Sequence, residues 1–126
     1  MQGLLIVDED RDSRKMMADI FIDEGYTVTA TNSLASALYG ILKKTAQVVL
    51  LGNRIDDLTA ADIIPLLKQC NHKLSIILVA AETSLPLIRK LRKEGIFYHA
   101  LKPQSTADRE EIHQAVECAF RNIGHF

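Results

Sequence analysis

The chain has 126 residues, enough for one domain that buries about two thirds of the surface of its unfolded form. Its 15 lysines and arginines nearly balance 16 aspartates and glutamates, which excludes a general electrostatic attraction to nucleic acid or to an anionic membrane. The N-terminus has neither the basic flank of a signal peptide nor the length of a membrane span. Cys70 and Cys118 have no metal-ligand spacing and indicate a reducing compartment. We therefore expect one cytoplasmic domain over residues 1–126.

Five apolar runs of strand length alternate with longer stretches of helical period. The predicted strands are LLIV (4–7), YTVTA (26–30), VVLL (48–51), SIILVA (75–80) and IFYHAL (96–101). The predicted helices cover residues 11–24, 33–43, 59–69, 84–94 and 107–122. Gly25 and Gly95 directly follow two of these predicted helices, at the position where glycine commonly ends a helix. Ser33 stands at the N-cap position of another.

Strict alternation with short connections predicts parallel strands joined by right-handed crossovers, with helices on both faces of the sheet. The fold class is therefore a doubly wound α/β domain, (βα)5, with a five-stranded parallel sheet. In such sheets chemistry is usually found at the carboxyl ends of the strands. Here the first strand is followed by DED (8–10), the third by Gly52 and the fifth by Lys102 and Pro103.

An acidic cluster is thus expected to face a lysine. Clustered carboxylates repel one another and favour a divalent cation, while the lysine can pair with an anion or with the acids themselves. A simpler interpretation of each feature is also open, because acids before a helix stabilise its N-terminus and Lys-Pro is common in loops.

In combination these features resemble the receiver domain of two-component response regulators, the CheY-like fold. The resemblance is carried by LLIVDED (4–10), VVLLGNRIDDL (48–58), SIILVAA (75–81) and EGIFYHALKP (94–103). It implies a domain that takes a phosphoryl group from a histidine kinase onto an aspartate after the third strand, assisted by Mg²⁺. By this resemblance Asp8 and Glu9 match the acidic pair, Lys102 matches the phosphoryl-binding lysine, and Pro103 matches its proline, which we expect in cis.

Several positions depart from that pattern. Gly52 occupies the position of the phosphoacceptor aspartate and has no side chain that can form an acyl phosphate. Val79 occupies the position of the Ser or Thr that senses the phosphoryl oxygen, but it lacks a hydroxyl. His99 stands at the switch Tyr or Phe, Asp56 replaces a loop proline, and Ala60 replaces a glycine. The sequence therefore predicts a pseudo-receiver that keeps the scaffold and lacks the acceptor.

Without a carboxylate at position 52 we expect no cofactor beyond weakly bound Mg²⁺ at Asp8 and Glu9. Lys102 is then expected to form a structural bridge to Asp8 or Glu9. Asp56 is up to about 13 Å from Gly52 along an extended chain and substitutes for the acceptor only if the loop doubles back. No nucleophile is paired with a base, so we expect no enzymatic activity.

The predicted function is signal transduction or transcription regulation by protein contacts, without aspartate phosphorylation. Two alternatives remain open: a phosphoreceiver that uses another acid, and a small-ligand sensor that uses the vacated pocket above Gly52.

In receivers the fourth helix, fifth strand and last helix form the surface that dimerises or docks an effector. On that surface the sequence places Arg89, Lys90, Arg92, Lys93 and His99. A solvated basic face is the simpler interpretation. Nucleic acid would be bound only through another domain, and the sequence fits both a stand-alone receiver and part of a longer regulator.

Overall fold

The computed structural model describes residues 2–80 and 85–123. The strands are β1 (Gly3–Val7), β2 (Thr27–Thr31), β3 (Val48–Leu51), β4 (Ser75–Ala80) and β5 (Tyr98–Leu101). The helices are α1 (Arg11–Asp23), α2 (Leu34–Leu42), α3 (Ala60–Cys70), α4 (Leu85–Glu94) and α5 (Thr106–Ile123). The strands form one parallel sheet in the order β2-β1-β3-β4-β5. The predicted (βα)5 fold is confirmed.

The helices cover the two faces of this sheet as two separate cores. Val49 and Leu51 of β3 pack in the core with α2, α3 and α4, whereas Val48 and Leu50 pack in the core with α1 and α5. Because successive side chains of a strand point to opposite faces, β1, β3 and β4 are apolar at nearly every position and are completely buried. This accounts for the short, continuous apolar runs that identified these strands in the sequence.

The predicted boundaries agree with the structure to within one or two residues. Ser33 is the N-cap of α2, and its hydroxyl accepts a hydrogen bond from the N–H of Ser36. Gly25 and Gly95 have left-handed φ angles of 91° and 108°, which explains why glycine ends these helical segments. The predicted helix start at Ser84 lies outside the described residues. Among the described residues, none of the helices combines the length and apolar character needed to cross a bilayer.

A short antiparallel hairpin between β3 and α3 was not predicted. Its strands are Arg54–Ile55 and Leu58–Thr59, joined by Asp56 and Asp57. Both linking residues have left-handed φ angles, 51° and 63°, as a two-residue type I′ turn requires. The loop after β3 therefore doubles back on itself directly beside the functional edge of the sheet.

The strand register brings the carboxyl ends of the central strands to one level. Val7 of β1 lies beside Leu51 of β3, and Leu51 lies beside Leu78 of β4. The N–H of Gly52 donates to the carbonyl of Val7 over 2.8 Å. Residues 8 and 52 are thereby held side by side at the edge where the receiver pocket is expected.

Candidate functional site

The centre of the pocket is the contact between Asp8 and Gly52. Asp8 follows β1 and is only 3% exposed. A Cβ atom built on Gly52 would lie 3.1 Å from Oδ2 of Asp8 and only 2.8 Å from its Cγ and Oδ1, closer than a Cβ atom normally approaches. The carboxyl group of Asp8 thus fills the space that a side chain at position 52 would need.

The two oxygens of Asp8 have different environments. Oδ1 accepts a hydrogen bond of 2.9 Å from the N–H of Asp10, whereas the buried Oδ2 has no hydrogen-bond partner among the described residues. Burial raises the pKa of the Asp8 carboxyl above its usual value, although the Asp10 N–H and the charge of Lys102 act in the opposite direction. Asp8 is therefore held inward with one buried carboxyl oxygen that has no partner among the described residues, which costs free energy.

Lys102 is paired with Asp10, which corrects the predicted bridge to Asp8 or Glu9. The Lys102 Nζ atom lies 3.7 Å from Asp10 Oδ2. The same oxygen accepts a 2.7 Å hydrogen bond from the Ser13 hydroxyl, one turn into α1. This bond, with a smaller contribution from Lys102, lowers the pKa of the Asp10 carboxyl. Asp10 is also the N-cap residue of α1, where a negative charge is favoured by the helix dipole.

The other two pocket residues from the sequence lie close by. Glu9 is exposed and points away from the buried core. Pro103 is buried, but the Lys102–Pro103 bond is trans, so the expectation of a cis bond is wrong. The sequence pair Lys-Pro does not impose a cis bond, because the trans form of an X–Pro bond is intrinsically the more stable.

Val79 is a core residue. Its side chain is completely buried in the core with α1 and α5, and it lies beside Ala100 of β5. Ala80, the last residue of β4, is buried in the opposite core. Neither residue carries a hydroxyl, so the end of β4 offers no hydrogen-bond donor to an oxyanion from its side chains.

Asp56 lies in the turn of the short hairpin, with its carboxylate directed to α2. Its Oδ2 accepts a 2.9 Å hydrogen bond from the N–H of Leu34, the first residue of α2. The carboxylate is therefore engaged at the start of a neighbouring helix. Its φ angle of 51° is also inaccessible to proline, which is fixed near −65°, and this explains the departure from the loop proline of the family pattern.

The residues present fit a divalent cation poorly. In residues 2–80 and 85–123, no three Asp, Glu, His or Cys side chains come together in a way that could hold a metal ion. Asp8 offers a buried oxygen, but its neighbour at position 52 contributes none and Glu9 is directed to solvent. Hard cations require several oxygen ligands, so this set is incomplete.

The predicted output residues lie on and beside α4. All four basic side chains, Arg89, Lys90, Arg92 and Lys93, belong to exposed residues around the buried Leu91. Lys90 lies near enough to Asp62 of α3 to contribute to the lowered pKa of that carboxyl. Arg92 lies on the side of β5, where it acts on His99. The four basic side chains of α4 are therefore not all directed to the same part of the molecule.

His99 is half-buried on edge strand β5. Its Nε2 atom is buried and has no partner among the described residues. Burial lowers the pKa of the imidazole, the charge of Glu111 opposes this shift, and Arg92 adds to it. The neutral form of the imidazole is thus more favoured than in an exposed histidine.

Sequence reasoning missed the exposed apolar character of β5. Phe97 is 38% exposed, Tyr98 38% and Leu101 43%. The first two border a surface cavity of about 200 Å³ between β5 and α5, and the Tyr98 hydroxyl donates to Glu111 of α5. In the sequence these residues belong to an apolar run, IFYHAL, that indicates burial. Its position as an edge strand, which exposes one side, follows only from the topology.

A model of the response regulator receiver domain matches residues 4–117 of the chain. The chain belongs to the response regulator receiver domain family. It is 30% identical over 117 residues to sporulation initiation phosphotransferase F of Bacillus subtilis, a match that covers 92% of this chain and 91% of that protein. It is 24% identical to the transcriptional regulatory protein GlrR of Escherichia coli, of which the match covers only 26%.

Solved receiver domains have the same fold. A response regulator receiver domain protein from Clostridium thermocellum superposes with a TM-score of 0.86 at 17% identity, covering 98% of both chains. The solution structure of the beryllofluoride-activated NtrC4 receiver domain dimer gives a TM-score of 0.85 at 22% identity, covering 97% of this chain and 98% of that chain. At these identities the likeness shows the fold.

Within this receiver fold, the structure brings Asp8, Gly52 and Lys102 to one edge as the sequence predicts. It assigns the partner of Lys102 differently and places Asp8 inside the pocket. The inward position of Asp8 could not be read from the sequence, because it depends on the register of β1 and β3. A glycine after a buried strand was the available signal, since it marks a place where another group approaches the backbone closely.

Proposed function

We propose that this receiver domain transmits signals through protein contacts and takes no phosphoryl group at position 52. The observation that supports this is the Asp8 carboxyl, whose Cγ and Oδ1 atoms lie 2.8 Å from the place where a Cβ at position 52 would stand. The chain lacks an acceptor, and the space for one is occupied. The scaffold, the pocket lysine and the output surface remain.

Asp8 is a poor substitute acceptor in this arrangement. A phosphoryl donor must reach the nucleophile in line, but Asp8 is 3% exposed. Burial raises the pKa of its carboxyl, so the charged, nucleophilic form is less favoured than in an exposed aspartate. Lys102 is held by Asp10, on the solvent side of the pocket. These features disfavour the alternative of a receiver that uses another acid in place of residue 52.

We further propose that Mg²⁺ binds this pocket only weakly, in the millimolar range or above, the scale of sites with few charged ligands. Asp8 has one oxygen already hydrogen-bonded, and Glu9 is exposed. A ligand sensor with its site above Gly52 is disfavoured for a related reason, because the Asp8 carboxyl fills that volume.

The surface of α4, β5 and α5 is the proposed site of protein contact. It combines the exposed basic residues Arg89 and Arg92 with the exposed apolar residues Phe97 and Leu101. Large exposed apolar side chains next to charges are typical of interaction surfaces. The NtrC4 receiver domain was solved as a dimer, and a homodimer or an effector contact of this chain is proposed by analogy.

Phosphoryl transfer is tested by incubation with acetyl phosphate and Mg²⁺, with intact mass measured over time. We expect no added phosphoryl mass on the wild-type chain. The Gly52→Asp variant is expected to gain it slowly, since a carboxylate then stands beside Lys102, provided that Asp8 moves outward. Gly52→Ala is the matched control, because it forces the same movement of Asp8 without supplying an acceptor. Labelling of the wild type, mapped by peptide mass to Asp8, Asp10 or Asp56, would overturn the proposal.

A further inference from the structure

A cavity of about 300 Å³ lies at the opposite edge of the sheet, where the strands begin. Its lining comes from the segments before β3 and β4 and from the end of α5: Lys44, Ala46, Gln47, Asn71, Lys73 and Ile123. The volume is at the lower end of the range for small-molecule sites. A ligand here would lie across the sheet from Gly52 and would not depend on the receiver pocket.

Hydrogen bonds within the protein fix what the two side-chain amides can offer. The Oε1 atom of Gln47 accepts a 2.8 Å hydrogen bond from the N–H of Gly3. The Oδ1 atom of Asn71 accepts a 3.0 Å hydrogen bond from the N–H of Lys73. With their oxygens engaged, both amides keep NH₂ groups that can only donate. The ammonium groups of Lys44 and Lys73 are also donors only.

The cavity lining therefore offers mainly hydrogen-bond donors. None of the described residues that line it is acidic, and two are cationic. The remaining lining is apolar, with the nearly buried Ala46 and with Ile123. A ligand that contacts both the donor groups and the apolar side chains needs a negatively charged or strongly accepting group and a short apolar group.

Helix dipoles at this edge do not account for Lys44. The C-terminal ends of α2 and α3 carry partial negative charge, which favours cations. However, the carbonyls of Tyr39 and Ile41 in α2 already accept the backbone N–H groups of residues 43 and 44. Beyond α3, the Nζ atom of Lys68 donates to the carbonyls of residues 72 and 74, at 3.3 and 2.7 Å. These termini are satisfied without the side chain of Lys44.

We propose that this cavity binds a small organic carboxylate with a short apolar chain. The carboxylate receives hydrogen bonds from the Lys44 ammonium and the Asn71 amide, and the chain packs on Ala46 and Ile123. Such a site would give a receiver domain that lacks its acceptor an input on the other side of the sheet.

The test is a titration of the full chain with hexanoate, followed by amide chemical shifts in ¹H–¹⁵N spectra. We expect saturable shifts confined to residues 44–47 and 71–74. Hexanol, which has the same chain without the charge, and inorganic phosphate, which has charge without the chain, are each expected to bind about tenfold or more weakly. Equal binding of hexanol or of phosphate, or shifts that do not saturate, would overturn the proposal.

Two variants locate the site. Lys44→Asp reverses the charge with a residue type that tolerates the left-handed φ of 59° at this position. Asn71→Asp keeps the acceptor for the Lys73 N–H and removes the donor. Each is expected to weaken hexanoate binding about tenfold or more. Lys43→Asp is the matched control, since the Lys43 ammonium lies over the Tyr39 ring and outside the cavity. Unchanged binding in both cavity variants, with native spectra, would refute the assignment.

Discussion

At the scale of single residues, the carboxyl group of Asp8 and any side chain at position 52 compete for one volume. A Cβ at position 52 would lie 2.8 Å from Asp8 Cγ, so one of the two residues must move if glycine is replaced. Asp8 has little freedom, because its Oδ1 is bonded to the Asp10 N–H and its backbone carbonyl accepts from the Arg14 guanidinium at 2.8 Å. The identity of residue 52 and the conformation of Asp8 are therefore coupled.

This coupling predicts that Gly52→Ala destabilises the fold. Overpacking of a rigid site costs about 1–3 kcal/mol, measured as the free energy of unfolding in urea. Gly40→Ala is the control. A Cβ there would meet the Thr45 Oγ1 at an ordinary 3.7 Å, and alanine in a helix interior gains about 0.5–1 kcal/mol over glycine. In an Asp8→Ala background the cost of Gly52→Ala should fall below about 0.5 kcal/mol; a cost that persists there would show that Asp8 is not the cause.

His99 predicts a pH dependence of stability. Its pKa is lowered in the folded state, so the unfolded chain takes up the proton first as the pH falls. The stability contributed by neutral His99 is complete above the unfolded value of 6.5 and is lost as the pH falls through the lower folded pKa. His99→Tyr should remove this component. The unfolding free energy of the variant minus that of the wild type should therefore increase as the pH is lowered from 7.5 to 5. A difference that is constant over this range would contradict the prediction.

At the scale of elements, the hairpin at residues 54–59 connects the functional edge to α2. Asp56 supplies both the left-handed turn and the acceptor for the first N–H of α2. These two contributions can be separated. Glycine adopts the same φ angle but offers no side-chain acceptor, whereas proline can neither adopt that angle nor accept the hydrogen bond through its side chain.

We therefore predict that Asp56→Pro, a change toward the family's usual loop residue, destabilises this chain by about 3 kcal/mol or more. Asp56→Gly should cost only about 0.5–1.5 kcal/mol, the contribution of one hydrogen bond. Both values are measured by urea unfolding. Equal costs for the two variants would mean that the hydrogen bond to Leu34, and not the turn, carries the effect.

The elements themselves could be predicted from the sequence because their signals are local. Buried strands such as β3 appear as continuous apolar runs, and Gly25 and Gly95 mark positions where only a left-handed φ continues the chain. The hairpin was missed because Asp-Asp is an unusual pair for a type I′ turn, which is normally marked by Asn-Gly or Asp-Gly. The pairing of Lys102 with Asp10 was missed because it depends on the direction of α1, which turns Asp10 toward Lys102 and Glu9 toward solvent.

At the scale of the whole molecule, the domain has a closed receiver pocket and an exposed surface on α4, β5 and α5. In a receiver that takes a phosphoryl group, the pocket controls the surface. In the proposed function, Gly52 stands at the acceptor position and that control is absent, while the half-buried His99, whose pKa is lowered by burial, stands at the position of the switch residue. The surface is then expected to be in one state at all times, so its interactions depend on the concentrations of the chain and its partner.

A constitutive interface of this kind predicts that charge reversal on α4 weakens association without unfolding the domain. Arg89→Glu with Arg92→Glu changes two exposed residues, and exposed changes usually cost within about 0.5 kcal/mol of stability. We expect self-association in sedimentation velocity, or partner capture in a pull-down, to weaken by about tenfold, or 1.4 kcal/mol. Lys15→Glu with Lys43→Glu is the control, because it makes the same change in net charge on α1 and after α2. If both double variants weaken association equally, net charge is responsible. If neither does and both retain native circular dichroism, the α4 surface is not the interface.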